Sequence, residues 1–177
     1  GIRDIHSWLE FRRVLFRSYS WARDLPLLDS EKIVEYYNNL GYKTLQIKGE
    51  KQILVNGAEG ITKPMREIAI LIMYSEKRLF IDSVGQHIAS ALKIPSTVCW
   101  IVNKPLVFGY DIHDNIITDA KEIFHTTEKS YLQPYDITGI PTQCPYDTKT
   151  IFNINKIIES LNKEKTYYLP FELWLIH

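Results

Sequence analysis

The stretch LFIDSVGQHIASALKIPSTVCW, residues 79–100, decides the fold of this chain. It begins with a short apolar run that predicts a buried strand, and Asp82-Ser83 follows as a strong helix N-cap pair. Residues 84–92 predict a helix, Pro95 closes the turn after it, and residues 96–101 predict a second strand. Strand, helix and strand in so short a stretch are typical of the βαβ unit of a parallel sheet.

The turn between the first strand and the helix is the part of this unit that can bind a ligand. It places unpaired backbone N–H groups and a helix N-terminus at the carboxyl end of a strand. Open α/β sheets bind phosphorylated ligands at such a position. The sequence therefore predicts an anion site at residues 82–87.

Length and composition exclude several classes of protein. The chain has 177 residues, enough for one domain with a real core. Lys plus Arg and Asp plus Glu are both 21, so the zero net charge argues against nucleic-acid binding by bulk electrostatics. The two cysteines, Cys99 and Cys144, do not make a disulfide scaffold and fit a reducing compartment. No apolar run is long enough to predict a transmembrane segment.

Residues 1–18, GIRDIHSWLEFRRVLFRS, resemble a translated sequencing adapter rather than natural protein. We therefore exclude them from the fold prediction, as for any processing or cloning remnant. The alternative is a genuine amphipathic helix with Ile5, Trp8, Leu9, Val14 and Leu15 on one face. On the adapter interpretation, the natural gene extends further upstream and the domain itself comprises residues 19–177.

The remaining chain alternates predicted helices and strands. Before the βαβ unit we predict a helix capped by Asp29 or Ser30 and ended by Gly41, then a strand at 42–47 and a short strand or extended segment at 52–55. A turn at Asn56-Gly57 and a helix starting at Pro64 follow. After the unit we predict a loop at 103–110, a strand at 115–118 and a helix after Thr148 or Thr150. The predicted buried faces are Ile33, Val34, Tyr37 and Leu40 in the first helix, Ile68 and Ile72 in the second, and Ile151, Ile154, Ile157, Ile158 and Leu161 in the last. This order predicts a doubly wound α/β domain, Rossmann-like, with a mainly parallel sheet and helices on both faces.

One strand of this sheet is missing from the prediction. A helix starting at Asp29 normally follows a core strand, which would lie just before Tyr19, within the adapter-like segment. We therefore expect the sheet to be exposed or imperfectly filled at that place.

The residues of the predicted anion site carry a family resemblance. Asp82, Ser83 and His87 keep the spacing of the donor-site motif of glycosyltransferase family nine, the ADP-heptose:lipopolysaccharide heptosyltransferase-like proteins, and the chain resembles this family over roughly residues 19–161. The family pattern is Asp, Ser or Thr, Gly, two variable residues and His. Val84 stands where Gly is usual, and Gly85 comes one residue later. Further similarities are Ser20-Trp21, Gly41-Tyr42 and Gly49-Glu50.

The resemblance implies half of a GT-B fold, in which two Rossmann-like domains face each other. This chain would be the C-terminal domain, which binds a nucleotide diphosphate sugar as substrate and needs no further cofactor. The acceptor, a glycan or lipid-linked glycan, and the catalytic base would belong to an N-terminal domain that this sequence lacks. The fragment alone would then be inactive, and the protein would act in the cytoplasm or at the inner membrane surface.

The candidate diphosphate-binding residues are Asp82, Ser83, Val84, Gly85, Gln86 and His87. Ser83, Gly85 and the following N–H groups would cradle phosphate, or else form an ordinary helix cap. Asp82 would hold the turn or accept hydrogen bonds from sugar hydroxyls. His87, one turn into the helix, would donate to a phosphate or sugar oxygen, unless it is a packing residue. Candidate nucleotide or sugar contacts are Gly49, Glu50, Arg23, Tyr110 and His113.

Other chemistries fit the sequence less well. His87, His113 and His125 form no short-spaced ligand pair, so we predict no metal site. A G-x-S-x-G elbow of a serine hydrolase is missing. Two alternatives to a glycosyltransferase domain stay open: a non-catalytic nucleotide-binding module, and a structural or interaction domain.

Overall fold

The computed structural model describes residues 25–49, 52–101, 103–119 and 149–163, together with the backbone of residues 13–16. Six strands form one sheet in the order β3-β2-β1-β4-β5-β6, with every pair of neighbours parallel. The strands are β1 Arg13–Phe16, β2 Thr44–Ile47, β3 Glu59–Ile61, β4 Lys77–Ile81, β5 Thr97–Trp100 and β6 Asp114–Ile117. This is the 3-2-1-4-5-6 order of Rossmann folds, so the predicted fold class is confirmed.

Helices cover both faces of the sheet. Within the described ranges they are α1 Leu27–Asn39, α2 Met65–Tyr74, α3 Val84–Ala91, the short α4 Pro105–Phe108 and α5 Ile154–Asn162. The connection from β1 through α1 runs towards one edge of the sheet, whereas those through α2 and α3 run towards the other. Because such crossovers are right-handed, α1 lies on one face and α2 and α3 on the opposite face. Accordingly α2 packs against α3, and α5 packs against α1.

The core lies between these layers and follows most of the predicted apolar faces. Ile33, Val34 and Tyr37 of α1 are buried, as are Ile68 and Ile72 of α2. Ile157 and Leu161 bury α5, while Ile154 and Ile158 are half-buried. Leu40 was predicted in this core and is 56% exposed instead, because α1 has already ended there and Leu40 is its C-cap. The prediction for Leu40 was therefore wrong.

The strand predicted as missing is present in the sheet. Arg13–Phe16 forms β1 at its centre, pairing with β2 on one side and β4 on the other. The expectation of an exposed or unfilled position is therefore wrong, and so is a helix through Val14 and Leu15. The origin of residues 1–18 in a sequencing adapter stays a prediction, because parallel pairing through backbone groups requires no particular side chain at each position.

The region after β2 differs from its prediction. Residues 52–55 form no strand, and β3 is Glu59–Ile61, which sequence reasoning missed. The buried Gln46 holds the extended segment by its side chain, which donates to the Ile53 carbonyl at 2.9 Å and accepts from the Val55 N–H at 2.7 Å. Glycine and glutamate are depleted in strands, which explains why Glu59 and Gly60 gave no strand signal.

The predicted turn at Asn56-Gly57 is confirmed by the backbone. Gly57 has a φ of 81°, in the left-handed region that favours glycine. Gly41, which follows α1, has a φ of 79° and ends that helix as predicted.

Several helix assignments differ from the sequence prediction. Helix α1 begins at Leu27, so Asp29 and Ser30 lie inside it and do not cap it. Helix α5 begins at Ile154 and is capped by Asn153, whose side chain accepts from the Lys156 N–H, several residues after the predicted threonines. Part of the predicted loop at 103–110 is the short helix α4.

Several residues named in the sequence analysis lie outside the described residues: Arg23, Glu50, His125 and Cys144. In the part that is described, Cys99 is buried within β5, as predicted. None of the helices there is long and apolar enough to cross a membrane.

Candidate functional site

The candidate site lies where the direction of chain progression across the sheet reverses. Strands β1 and β4 are neighbours, but their following connections go to opposite faces, which makes their carboxyl ends a topological switch point. Open α/β sheets bind ligands in the crevice outside such a point. Asp82 and Ser83 directly follow β4 there and lead into α3.

Asp82 holds the turn together and is not a helix cap. Asp82 is 8% exposed, and its carboxylate accepts hydrogen bonds from two side-chain amides. Asn103, after β5, donates its Nδ2 to Asp82 Oδ2, and Gln86 of α3 donates its Nε2 to Asp82 Oδ1 at 3.3 Å. Ser83 is the N-cap residue but makes no side-chain cap hydrogen bond. Of the roles predicted for Asp82, the structure therefore supports holding the turn.

Three buried polar atoms of this cluster have no hydrogen-bond partner among the described residues: Ser83 Oγ, Gln86 Oε1 and Asn103 Oδ1. Gln86 is fully buried and Asn103 is 4% exposed. A buried polar atom without a partner costs about 1–3 kcal/mol. Such atoms in a native protein are normally satisfied by water or a ligand, so their grouping beside a helix N-terminus makes this cluster a candidate binding site.

Val84 and Gly85 form the first turn of α3 in ordinary right-handed backbone, since neither has a positive φ. Valine is compatible with the first helical position, and the departure from the usual glycine leaves the helix N-terminus intact. The Val84 side chain is 42% exposed, whereas Gly85 is buried.

His87 is exposed, and the structure pairs it with the loop before β6. Its Nδ1 lies 2.8 Å from the Tyr110 hydroxyl, and the two rings meet edge to face with centroids 5.5 Å apart. The Tyr110 ring contacts His113 in the same way, at 5.9 Å. The buried His113 bonds through Nε2 to the Gln86 carbonyl at 3.0 Å. The structure thus brings His87 of α3 together with Tyr110 and His113 of the loop before β6.

Of the other predicted nucleotide or sugar contacts, only Gly49 lies in the described part of the chain, and no described interaction connects it to Asp82 or His87. Gly49 follows β2 by two residues, and its N–H donates to the Gln52 side chain at 2.7 Å. Among the described residues, no group of three His, Cys, Asp or Glu side chains could hold a metal ion.

No protein-family model and no curated protein matches the sequence. Solved structures match it at low identity. E. coli heptosyltransferase WaaC with ADP gives a TM-score of 0.54 and 13% identity, over 71% of this chain and 43% of that one. A glycosyl transferase family 9 protein of Veillonella parvula gives 0.55 and 15%, over 84% and 44%. The dodecameric iron-containing heptosyltransferase TibC, in complex with ADP-D-beta-D-heptose, gives 0.58 and 15%, over 85% and 44%.

This chain shares the fold of the matched part of these glycosyltransferases. At 13–15% identity the similarity is one of fold, and the chain spans less than half the length of these three structures. The family resemblance seen in residues 82–87 is thereby supported at the level of the fold.

Two residues that connect elements of this domain were missed by sequence reasoning. Asn103 was interpreted only as part of a loop, although its position just after a predicted strand could have placed it beside Asp82. Asp29 was interpreted only as a helix cap.

Asp29 instead lies fully buried in the first turn of α1. It accepts from the N–H groups of Ile151 and Phe152 at 3.2 and 3.3 Å and so connects α1 to the segment before α5. Burial raises the pKa of Asp29 from 3.8 to about 6, although these two hydrogen bonds and nearby Lys32 lower it. Burial, with a smaller contribution from the Asp29 charge, raises the pKa of the Cys99 thiol, so this cysteine stays protonated.

Proposed function

We propose that this domain binds a nucleotide diphosphate sugar at the carboxyl ends of β4 and β5, as the donor half of a glycosyltransferase. The observation that carries the proposal is the buried cluster around Asp82, in which Ser83, Gln86 and Asn103 each keep one polar atom without a described partner. The cluster adjoins the N-terminus of α3, an eight-residue helix.

The donors and acceptors of this site suit two different parts of one ligand. The first N–H groups of α3 donate hydrogen bonds and, with the helix dipole, favour anionic oxygens. The free oxygens of Gln86 and Asn103 only accept, so they need hydroxyl or amino groups. A diphosphate offers no such donors at neutral pH, whereas sugar and ribose hydroxyls do. A glycosyl diphosphate combines both requirements.

His87 extends the anion-binding side of the site. It lies one turn into α3, on the side of Ser83, and its Nε2 has no described partner. In a transfer reaction, charge develops on the leaving nucleotide diphosphate. The helix N-terminus and His87 would stabilise that charge and so assist departure from the sugar.

The acceptor and the catalytic base belong to the proposed companion domain. The matched WaaC and TibC structures contain ADP and ADP-D-beta-D-heptose, and each is about twice as long as the part that this chain covers. By analogy, a second Rossmann-like domain would hold a glycan or lipid-linked glycan against this site, in the cytoplasm or at the inner membrane surface. The chain by itself would bind donor without transferring sugar.

Isothermal titration calorimetry of the full chain with ADP, UDP and GDP, and with their glucose derivatives, tests this proposal. We expect one nucleotide diphosphate to bind and its sugar derivative to bind more tightly, because the hydroxyls satisfy the amide oxygens. Asn103→Ala should weaken binding of the sugar derivative more than binding of the bare nucleotide. Lys43→Ala serves as control, because Lys43 directly precedes β2 and so lies at the edge of the sheet opposite to the strands' carboxyl ends. It should change neither affinity. Lack of binding by every compound would contradict the proposal and favour a structural or interaction domain.

A further inference from the structure

The hydrogen bond between His87 and Tyr110 connects α3 to a loop that is 23 residues away in sequence. The two atoms, Nδ1 and the phenol oxygen, are 2.8 Å apart, a good hydrogen-bond distance. The imidazole Nε2 lies on the opposite edge of the ring and has no partner among the described residues. One nitrogen of His87 is therefore engaged within the protein and the other is left for a ligand.

We propose that Tyr110 is a positioning residue that holds neutral His87 with its proton on Nε2. Neutral imidazole has one N–H donor and one acceptor, and the group bonded to one nitrogen decides which is which. A phenol O–H donates more readily than its oxygen accepts, so Tyr110 donates to Nδ1. The proton of His87 then lies on Nε2, where it can be donated to an anionic ligand oxygen. This inference rests on the proposed function only for the identity of that ligand.

The loop that carries Tyr110 is itself held against α3, which keeps the phenol in place. His113 packs its ring against Tyr110, and its Nε2 donates to the Gln86 carbonyl, since a carbonyl can only accept. The Asn115 side chain donates to the carbonyls of Tyr110 and His113, each at 3.1 Å. Because Gln86 and His87 are adjacent on α3, the loop and the imidazole are fixed relative to the same turn of helix.

The energetic consequence is that the Nε2–H group of His87 is pre-organised to donate a hydrogen bond. Without the Tyr110 hydroxyl, His87 can exchange its proton between the two nitrogens and rotate about its side-chain bonds. Binding an anion through Nε2 would then have to select one tautomer and one rotamer. Tyr110→Phe should accordingly weaken ADP binding by about two- to tenfold, the range of one net hydrogen bond.

Nitrogen-15 NMR of the full chain with labelled histidine, recorded at about pH 8.5, tests the assignment directly. In the wild type we expect His87 to show a protonated Nε2 and an unprotonated Nδ1. In Tyr110→Phe the two signals should move towards each other, as expected for exchange between tautomers. A protonated Nδ1 in the wild type, or identical spectra in both proteins, would overturn the proposal.

Tyr36→Phe is the matched control for the loss of a phenol hydroxyl. Tyr36 lies on α1 and is 37% exposed, against 38% for Tyr110, and its hydroxyl makes no described hydrogen bond. It should change neither the His87 spectrum nor ADP binding. If wild-type protein fails to bind ADP, the proposed function loses support, whereas the NMR spectra still decide the role of Tyr110.

Discussion

Asn103 donates its side-chain amide to the carboxylate of Asp82, joining the ends of two neighbouring parallel strands. Gln86 donates to the other oxygen of the same carboxylate from the first turns of α3. Both amides therefore direct their N–H groups at Asp82, and this fixes where their remaining oxygens lie. The buried Asp82 carboxylate thus sets the positions of the two amide oxygens that we propose accept hydrogen bonds from the sugar hydroxyls.

Asp82→Asn should lower stability and donor binding together. An asparagine at this position has one acceptor oxygen and presents an NH₂ group to one of the two amides, so one hydrogen bond is lost and a donor is left unsatisfied. We expect the free energy of unfolding in urea to fall by about 1–3 kcal/mol. Asp111→Asn, which changes an exposed carboxylate, should have almost no effect. Equal stability of the two variants would mean that the Asp82 hydrogen bonds are not formed.

His87→Ala should weaken diphosphate binding and leave the fold unchanged. The side chain is exposed, so little packing is lost, whereas a hydrogen bond to a charged group is worth roughly 1–3 kcal/mol. Calorimetric titration with ADP measures the change in affinity, and thermal unfolding checks the fold. An unchanged ADP affinity would exclude His87 from the site.

Asp29 should make stability depend on pH in a defined direction. Its pKa is raised from 3.8 to about 6, so the folded state binds this proton more tightly than the unfolded state does. The fold is therefore favoured at a pH below 3.8 and loses that advantage as the pH rises through 6, by up to about 3 kcal/mol.

Asp29→Asn isolates this contribution, because the amide does not titrate. The free energy of unfolding of the wild type, minus that of Asp29→Asn, should be larger at pH 4 than at pH 7.5. Glu35→Gln, at an exposed carboxylate of the same helix, should give a nearly constant difference across this range. A difference that grows as the pH rises would refute the raised pKa.

Gly57 and Gly41 allow backbone strain to be separated from steric overlap. Both have a φ near 80°, but a Cβ at Gly41 would meet nothing within 4 Å, whereas one at Gly57 would lie 2.9 Å from Asn38 Nδ2 and 3.2 Å from Val34 Cγ1. Gly41→Ala should cost about 1 kcal/mol from strain alone. Gly57→Ala should cost about 2–3 kcal/mol, because it also displaces the Asn38 amide from the Gly57 carbonyl. Urea denaturation of the two variants measures the difference, and equal losses would contradict the steric term.

The parts of this protein that sequence predicts are those whose signal is local. Residues 79–100 contain a strand, a turn and a helix whose sequence signals lie within a few positions of each other, so the βαβ unit was predicted. The ligand site at its turn stays a prediction. The contact between Asp82 and Asn103 depends on the register of β4 against β5, and no local pattern specifies it. Asp29 has the sequence appearance of a cap, and only the tertiary position of Ile151 and Phe152 makes it a buried anchor.

The predictions for strands failed where pairing, rather than side chains, decides the structure. Glu59–Ile61 is a strand because it pairs with β2, although Glu59 and Gly60 are poor strand formers. Arg13–Phe16 likewise forms β1 through pairing on both sides. Backbone hydrogen bonds are common to all residue types, so sequence patterns underestimate strands of this kind.

The central position of β1 suggests a use for this fold as a two-part reporter. A four-residue strand with neighbours on both sides is short enough to be supplied as a separate peptide, and its carboxyl end adjoins the proposed donor site. A chain starting after residue 18 would then act as a receptor whose groove accepts extended peptides by parallel pairing. Capture of such a peptide would restore the parallel pairing of β2 and β4 at the centre of the sheet.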